Sequence, residues 1–222
     1  LIICARGGWG SARLLERKQL WKVGFLLGFS DTTSLLLARL KAGFDGNIHG
    51  PMVTSISKEP EWSKERLKGL LFGEPVPDLY GQGWKEGRCI GPLIVGNLTV
   101  STHLIGSSYM PILKDSILIL EDIGEEIYKI DRMLTHWRLT GLLQQVGGIG
   151  FGNFHPNEED PKTLDKKNIE LQKILLERTS DLGIPIVGNL PIGHCSGNAA
   201  LPIGRKALLD GKTGKLSLIP PS

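Results

Sequence analysis

The chain has 222 residues, with 26 Lys and Arg against 23 Asp and Glu (a formal charge of +3), 41% hydrophobic residues and 22% charged ones. That length allows one or two domains with a real core, the composition excludes collagen, coiled coil and disorder, and so slight a charge argues against nucleic acid or an anionic membrane as partner. Glycine, at 29 residues, exceeds ordinary usage without repeats and points to tight turns and close backbone approaches.

Residues 1–5 read as a strand ending at Arg6-Gly7-Gly8-Trp9-Gly10-Ser11, and residues 12–20 as a helix. Because the chain opens on Leu1 inside an apolar run, a segment upstream is expected. The apolar run 23–29, ending at Ser30, predicts a second strand, and residues 32–40 a second helix. Strand, turn, helix, twice over, is the pattern of a parallel sheet covered by helices, whose sites lie at the carboxyl ends of strands. Residues 57–71 read as a charged surface helix with Pro60 near its start. Pro75, Pro77, Gly81 and Gly83 then mark a turn-rich connector, and the boundary is expected there, giving domains 1–80 and 81–222. Beyond it, residues 117–120 form a strand ending at Glu121-Asp122. An amphipathic helix is expected over 126–143, a Gly-rich strand over 146–151, a helix over 164–182 and a strand over 184–187. Short strands around a Gly211 turn fill 201–219. No apolar run approaches the ~20 residues of a membrane span.

Three scattered cysteines, Cys4, Cys89 and Cys195, offer neither a disulfide framework nor a zinc pattern, and fit a reducing, intracellular compartment. No His cluster suggests a metal. Gly28-Phe29-Ser30-Asp31, on a strand-to-helix turn, resembles a nucleophile elbow, with Thr32 replacing the second glycine of G-x-S-x-G; an N-cap serine is the plainer alternative. The glycine turn 6–11 lacks the P-loop Lys and the G-x-G-x-x-G spacing, so its amides serve a phosphate or an oxyanion equally well. Of five histidines, His103 and His136 sit in helix-like stretches, His155 in a loop with no partner motif, and His49 before Gly50-Pro51. His194 follows a strand, as Glu121 does, giving the order Ser…Glu…His of α/β-hydrolase triads; His49 is the other candidate base, and Glu125, in the same loop as Glu121 and Asp122, the other candidate acid.

Taken together, these segments resemble the LD-carboxypeptidase family of serine peptidases, which includes murein tetrapeptide carboxypeptidases and microcin-immunity peptidases. The matching blocks are residues 4–13, 28–33 and 49–52, Gly96-Asn97-Leu98, residues 120–125 with 130–134, Leu190-Pro191-Ile192-Gly193-His194 with Asn198, and Leu201-Pro202-Ile203-Gly204. Trp9 stands where the family more often has Tyr, Val95 where it usually has Gly, and the family's opening strands and helices do not precede Leu1. The resemblance implies an α/β fold: a Rossmann-like parallel-sheet N-terminal domain, incomplete here, and a β-rich α/β C-terminal domain. It implies Ser30 as nucleophile, His194 as base and Glu121 as its acid partner, with the N–H of Asp31 and one from Gly7 or Gly8 holding the oxyanion. It further implies no metal or organic cofactor, a cytoplasmic homodimer, and murein tetrapeptide losing its terminal D-Ala. A microcin-immunity hydrolase cutting a peptidyl-nucleotide is the alternative within the family; a non-enzymatic α/β ligand-binding module is the alternative outside it.

Overall fold

In the computed structural model, which describes residues 1–155 and 161–220, the chain forms two sheets flanked by helices. The strands are β1 Ile2–Ile3, β2 Leu26–Gly28, β3 Asn47–His49, β4 Leu79–Tyr80, β5 Gln82–Lys85, β6 Arg88–Asn97, β7 Ile117–Ile123, β8 Gly148–His155, β9 Ile186–Gly188, β10 Leu201–Ile203, β11 Lys206–Asp210 and β12 Lys215–Leu218. The α-helices are α1 Thr33–Lys41, α2 Val53–Ile56, α3 Glu61–Phe72, α4 Leu98–His103, α5 Ile127–Leu139 and α6 Pro161–Thr179.

The first sheet has the order β1-β2-β3-β10, parallel except for β10, which runs antiparallel to β3 with Leu201 opposite His49. The second has the order β4-β12-β11-β6-β7-β8-β9-β5, with β6 to β9 parallel and the outer pairings antiparallel. Its two outermost strands, β4 and β5, are joined by Gly81 alone, so the sheet is nearly closed. This mixed α/β architecture of a parallel-stranded sheet and a β-rich one is the fold class expected from the sequence.

Continuous apolar runs fill the centre, as fully buried parallel strands require. Leu93, Val95, Ile117, Ile119 and Ile149 are wholly buried, and Leu36, Leu37, Leu134 and Trp137 cover them from α1 and α5. Helix α1 reaches the second sheet directly: Thr33 Oγ1 accepts from the Asn97 N–H at 3.2 Å, and a Cβ on Gly96 would lie 2.5 Å from Thr33 Cγ2. Only a glycine at the end of β6 lets α1 dock this closely. The docking sets the start of α1 over the carboxyl ends of β6 and β7.

Some expected elements differ. Residues 12–20 give only a short 3₁₀ helix, Ser11–Glu16, because Ser11 is tied to Asp31 and Gly10 adopts φ +99. The connector expected over 75–90 holds β4, β5 and the start of β6. The expected strand 117–120 extends to Ile123 and so includes Glu121 and Asp122. Pro156 and Asn157, beside His155, lie outside the described residues.

Candidate active site

Ser30 stands between β2 and α1 with φ +60, one of three described non-glycine residues at positive φ. Such a conformation is costly for a residue with a Cβ, and persists where the surrounding structure imposes it. The turn is built by its neighbours. Thr32 Oγ1 donates to Phe29 O at 2.8 Å, and a Cβ on Gly28 would meet that hydroxyl at 2.4 Å. Thr32 therefore closes the elbow where the usual pattern has a second glycine. Ser30 is not an N-cap: Thr32 holds that position for α1, and no side chain caps the helix.

The Ser30 hydroxyl instead meets His194. His194 Nε2 lies 3.2 Å from Ser30 Oγ, and His194 Nδ1 lies 2.7 Å from Glu121 Oε2. With Glu121 ionised, Nδ1–H donates to the carboxylate, which leaves the Nε2 lone pair to accept the serine proton. The imidazole is mostly buried, with the Phe29 ring packed 4.8 Å from it between centroids. Glu121 is completely buried; its Oε1 accepts no hydrogen bond from a described residue. Burial pushes the Glu121 carboxyl up from its ordinary value, while the hydrogen bond and charge of His194 and the nearby Asn97 amide pull it back. The Asn97 amide spends its own hydrogen bond on Asp122, through Nδ2 to Oδ1 at 3.0 Å.

Adjacent strand residues face opposite ways, and Asp122 accordingly turns towards α4. Its Oδ2 accepts from the N–H and the hydroxyl of Thr99, at 2.9 and 2.8 Å. The β7–β8 register shifts between Leu120 and Asp122, a bulge at Glu121 of the kind that re-aims a side chain. Glu125 lies outside the site and pairs with Lys129 at 3.3 Å.

The glycine turn is fastened to the elbow. Ser11 N donates to Asp31 Oδ2 at 2.9 Å, and Ser11 Oγ to Asp31 O at 2.5 Å. A Cβ on Gly7 would lie 2.9 Å from Ser30 Oγ, so the Gly7 backbone abuts the hydroxyl. Gly8 stands further off: a Cβ there would have Arg6 Nη2, at 3.8 Å, as its nearest neighbour.

His49, His103 and His136 do not join this group. His103 and His136 are exposed on α4 and α5. His49 is completely buried, and neither ring nitrogen has a hydrogen-bond partner among the described residues. Burial pushes its pKa down to about 3, the field of His194 adds to this and the Asn198 amide opposes it. A histidine so held stays neutral at physiological pH.

Three further residues support the site without having stood out in the sequence as candidates: Glu59, Ser63 and Arg66, all bonded to the loop that follows His194. No local pattern marks them, because their partners lie more than a hundred residues away. A cavity of about 520 Å³ opens at the carboxyl ends of β8 and β9, lined by Asn153, Gln172, Asn189, Pro191, Cys195 and Ser196 among others, and not by Ser30, Glu121 or His194.

The LD-carboxypeptidase N-terminal domain model matches residues 1–50, and the LD-carboxypeptidase C-terminal domain model residues 90–209. A Synechocystis protein named as a carboxypeptidase is 46% identical over 98% of this chain and 72% of its own length. The murein tetrapeptide carboxypeptidase of Pseudomonas aeruginosa is 33% identical over 95% of this chain and 72% of its own. Among solved structures, muramoyltetrapeptide carboxypeptidase from Oxalobacter formigenes superposes with a TM-score of 0.78 at 27% identity, covering 97% of this chain and 76% of that one. The microcin C7 self-immunity protein MccF shares the fold, with a TM-score of 0.75 at 21% identity over 98% and 75% of the two chains.

Proposed function

Because the chain belongs to the LD-carboxypeptidase family, we propose that it hydrolyses the L,D-peptide bond of murein tetrapeptide and releases the terminal D-Ala. The observation that carries this reading is the bridge made by His194, with Glu121 2.7 Å from one nitrogen and the Ser30 hydroxyl 3.2 Å from the other. It is the serine-peptidase arrangement on a further fold, recognised by geometry and roles.

His194 Nε2 takes the Ser30 proton as Oγ attacks the carbonyl of the L-configured residue. Glu121 holds the imidazole in the tautomer that accepts this proton, and stabilises the imidazolium that results. The Asp31 N–H, at the start of the helical turn, and the Gly7 N–H beside Ser30 hold the oxyanion, with Gly8 as the further donor. Protonated His194 passes its proton to the leaving D-Ala nitrogen, the C–N bond breaks, and an acyl-enzyme remains on Ser30. Water, deprotonated by His194, then releases the tripeptide and restores the serine. The amide-bearing cavity that reaches Cys195, the residue after His194, suits a peptide ligand. A homodimer in the cytoplasm, with the active-site residues divided between segments 1–80 and 81–222, is part of the same proposal.

The test sets two substrates side by side. Murein tetrapeptide and a peptidyl-nucleotide are incubated with the protein and followed by mass spectrometry. Tripeptide and free D-Ala from the first are expected. Cleavage of the nucleotide conjugate alone would place the protein with the microcin-immunity hydrolases, and saturable nucleotide binding without hydrolysis would make it a binding module.

A further inference from the structure

His194 sits in a long loop between β9 and β10, with no regular element to fix it. Loops of this kind are the mobile parts of a fold unless their backbone is tied down. Here the ties come from across the molecule, from the segment that begins α3. Glu59 Oε2 accepts from the N–H of Gly197 at 2.8 Å and from that of Asn198 at 3.0 Å. Ser63 Oγ donates to Asn198 O at 3.0 Å, and Arg66 Nε to Ala200 O at 2.8 Å. Asn198, itself wholly buried, turns its Oδ1 back on the loop to accept from the Gly193 N–H at 2.9 Å. Gly193 immediately precedes His194, has φ +103, and packs so tightly on Glu121 that a Cβ would lie 2.6 Å from Oε2.

The bonds therefore run in series, from the Glu59 carboxylate through Asn198 and Gly193 to His194. At its far end the hydrogen bond to Ser30 is already 3.2 Å, long for an O–H donor, so little displacement separates the pair. Both bonds to Glu59 are charge-assisted, as is that of Arg66, but those of Glu59 reach the loop nearer in the chain to His194. The charge is felt locally: burial first, and then Glu59 and Glu121, push the neighbouring Cys195 thiol up to about 11.

We propose that Glu59 is a positioning residue, which through the amides of Gly197 and Asn198 sets the distance between His194 Nε2 and Ser30 Oγ. This rests on Ser30 and His194 being the reacting pair. A residue that merely stabilised the fold would, once lost, lower the melting temperature and leave the rate per folded molecule unchanged. A positioning residue lowers the rate itself, since a displacement of about 1 Å costs on the order of 100-fold.

The experiment compares the protein with Glu59→Ala, Glu59→Gln, Glu59→Asp and Asn198→Ala, each checked for folding by thermal melt. The first readout is the rate at which a fluorophosphonate modifies Ser30, followed by intact mass, which needs no peptide binding. The second is kcat and KM on murein tetrapeptide. Glu59→Ala is expected to slow modification and kcat together by about 10- to 100-fold with KM within about twofold. Glu59→Gln, whose amide oxygen still accepts from both N–H groups, should stay within about threefold of the starting rates. Glu59→Ala combined with Asn198→Ala should be no slower than the worse single variant, because both act on one series of bonds. Should Glu59→Ala fail to fold, Glu59→Asp, which withdraws the carboxylate by one methylene, must show the loss instead. A folded Glu59→Ala or Glu59→Asp with an unchanged modification rate would overturn the proposal, as would losses that simply multiply in the double variant. Modification of Ser30 without tetrapeptide cleavage would sink the substrate reading alone, and the first readout would still decide on Glu59. No modification of Ser30 at all would sink both.

Discussion

Two carboxylates one residue apart in β7 have unrelated tasks, set by the side to which each points. Glu121 faces His194, and Asp122 holds the start of α4 through Thr99. Replacing Glu121 with Gln keeps the shape but offers His194 the wrong hydrogen-bonding partner, and is expected to lower kcat by up to roughly 10⁴. Glu125→Gln breaks only a partly exposed pair with Lys129 and should change kcat little; steady-state kinetics of the two variants checks the contrast. His49 yields a prediction about stability. Its pKa falls to about 3 in the folded chain, whereas in the unfolded chain it takes the ordinary histidine value of about 6.5. Between those values the unfolded state binds a proton that the folded state refuses, so stability falls as pH is lowered through the window. At pH 5 the loss is about 2 kcal/mol. Denaturant melts at pH 7.5 and pH 5 should therefore show the wild type losing about 2 kcal/mol more than His49→Leu; equal losses would mean that His49 titrates normally when folded.

At the scale of elements, the turns rather than the strands and helices determine the site. Gly193 combines positive φ with a wall of Glu121 atoms where a Cβ would go, whereas Gly43, at φ +84, has open space there. Both substitutions to Ala carry the backbone strain of about 1–2 kcal/mol, but only Gly193→Ala pushes on the Glu121–His194 pair. Kinetics should show kcat falling by about 100-fold for Gly193→Ala and unchanged for Gly43→Ala; equal effects would detach the turn from the chemistry. The same contrast explains what the sequence made legible. Apolar runs and periodicity announce α1, α5, β7 and β9, since burial alone dictates them. Strand β6 is central, yet Gly91, Pro92 and Gly96 disguise it. Those glycines are there for close approach, with Cβ positions 2.1 Å from Asp115 O and 2.5 Å from Thr33 Cγ2, and no one-dimensional pattern shows the neighbour that demands them. Ser30, Glu121 and His194 stand out because each comes after an apolar run of the sequence, 23–29, 117–120 and 184–187, although Glu121 proves to lie within β7 and His194 in the loop beyond β9. Glu59 does not stand out, because its partners are amides of residues 197 and 198.

Across the whole molecule, the candidate site depends on how the two sheets are fastened. Ser30 follows a strand of the first sheet, Glu121 lies in the second, and the His194 loop leaves the second sheet at β9 and enters the first at β10. Arg66, buried in α3, clamps that return by donating to Ala200 O and Pro77 O. Arg66→Met strips a charged donor from the buried Ala200 carbonyl and the more exposed Pro77 carbonyl, and should cost about 1–3 kcal/mol in denaturant melts; an unchanged midpoint would show that the fastening lies elsewhere. The central claim is that Ser30 attacks the terminal L,D-bond of murein tetrapeptide, and it is tested most directly by comparing D-Ala release by the wild type and by Ser30→Ala under single-turnover conditions. Stoichiometric D-Ala from the wild type is predicted, with a rate lower by about 10⁴-fold or more for Ser30→Ala and tetrapeptide binding retained. A Ser30→Ala protein that still releases D-Ala at the wild-type rate would contradict it.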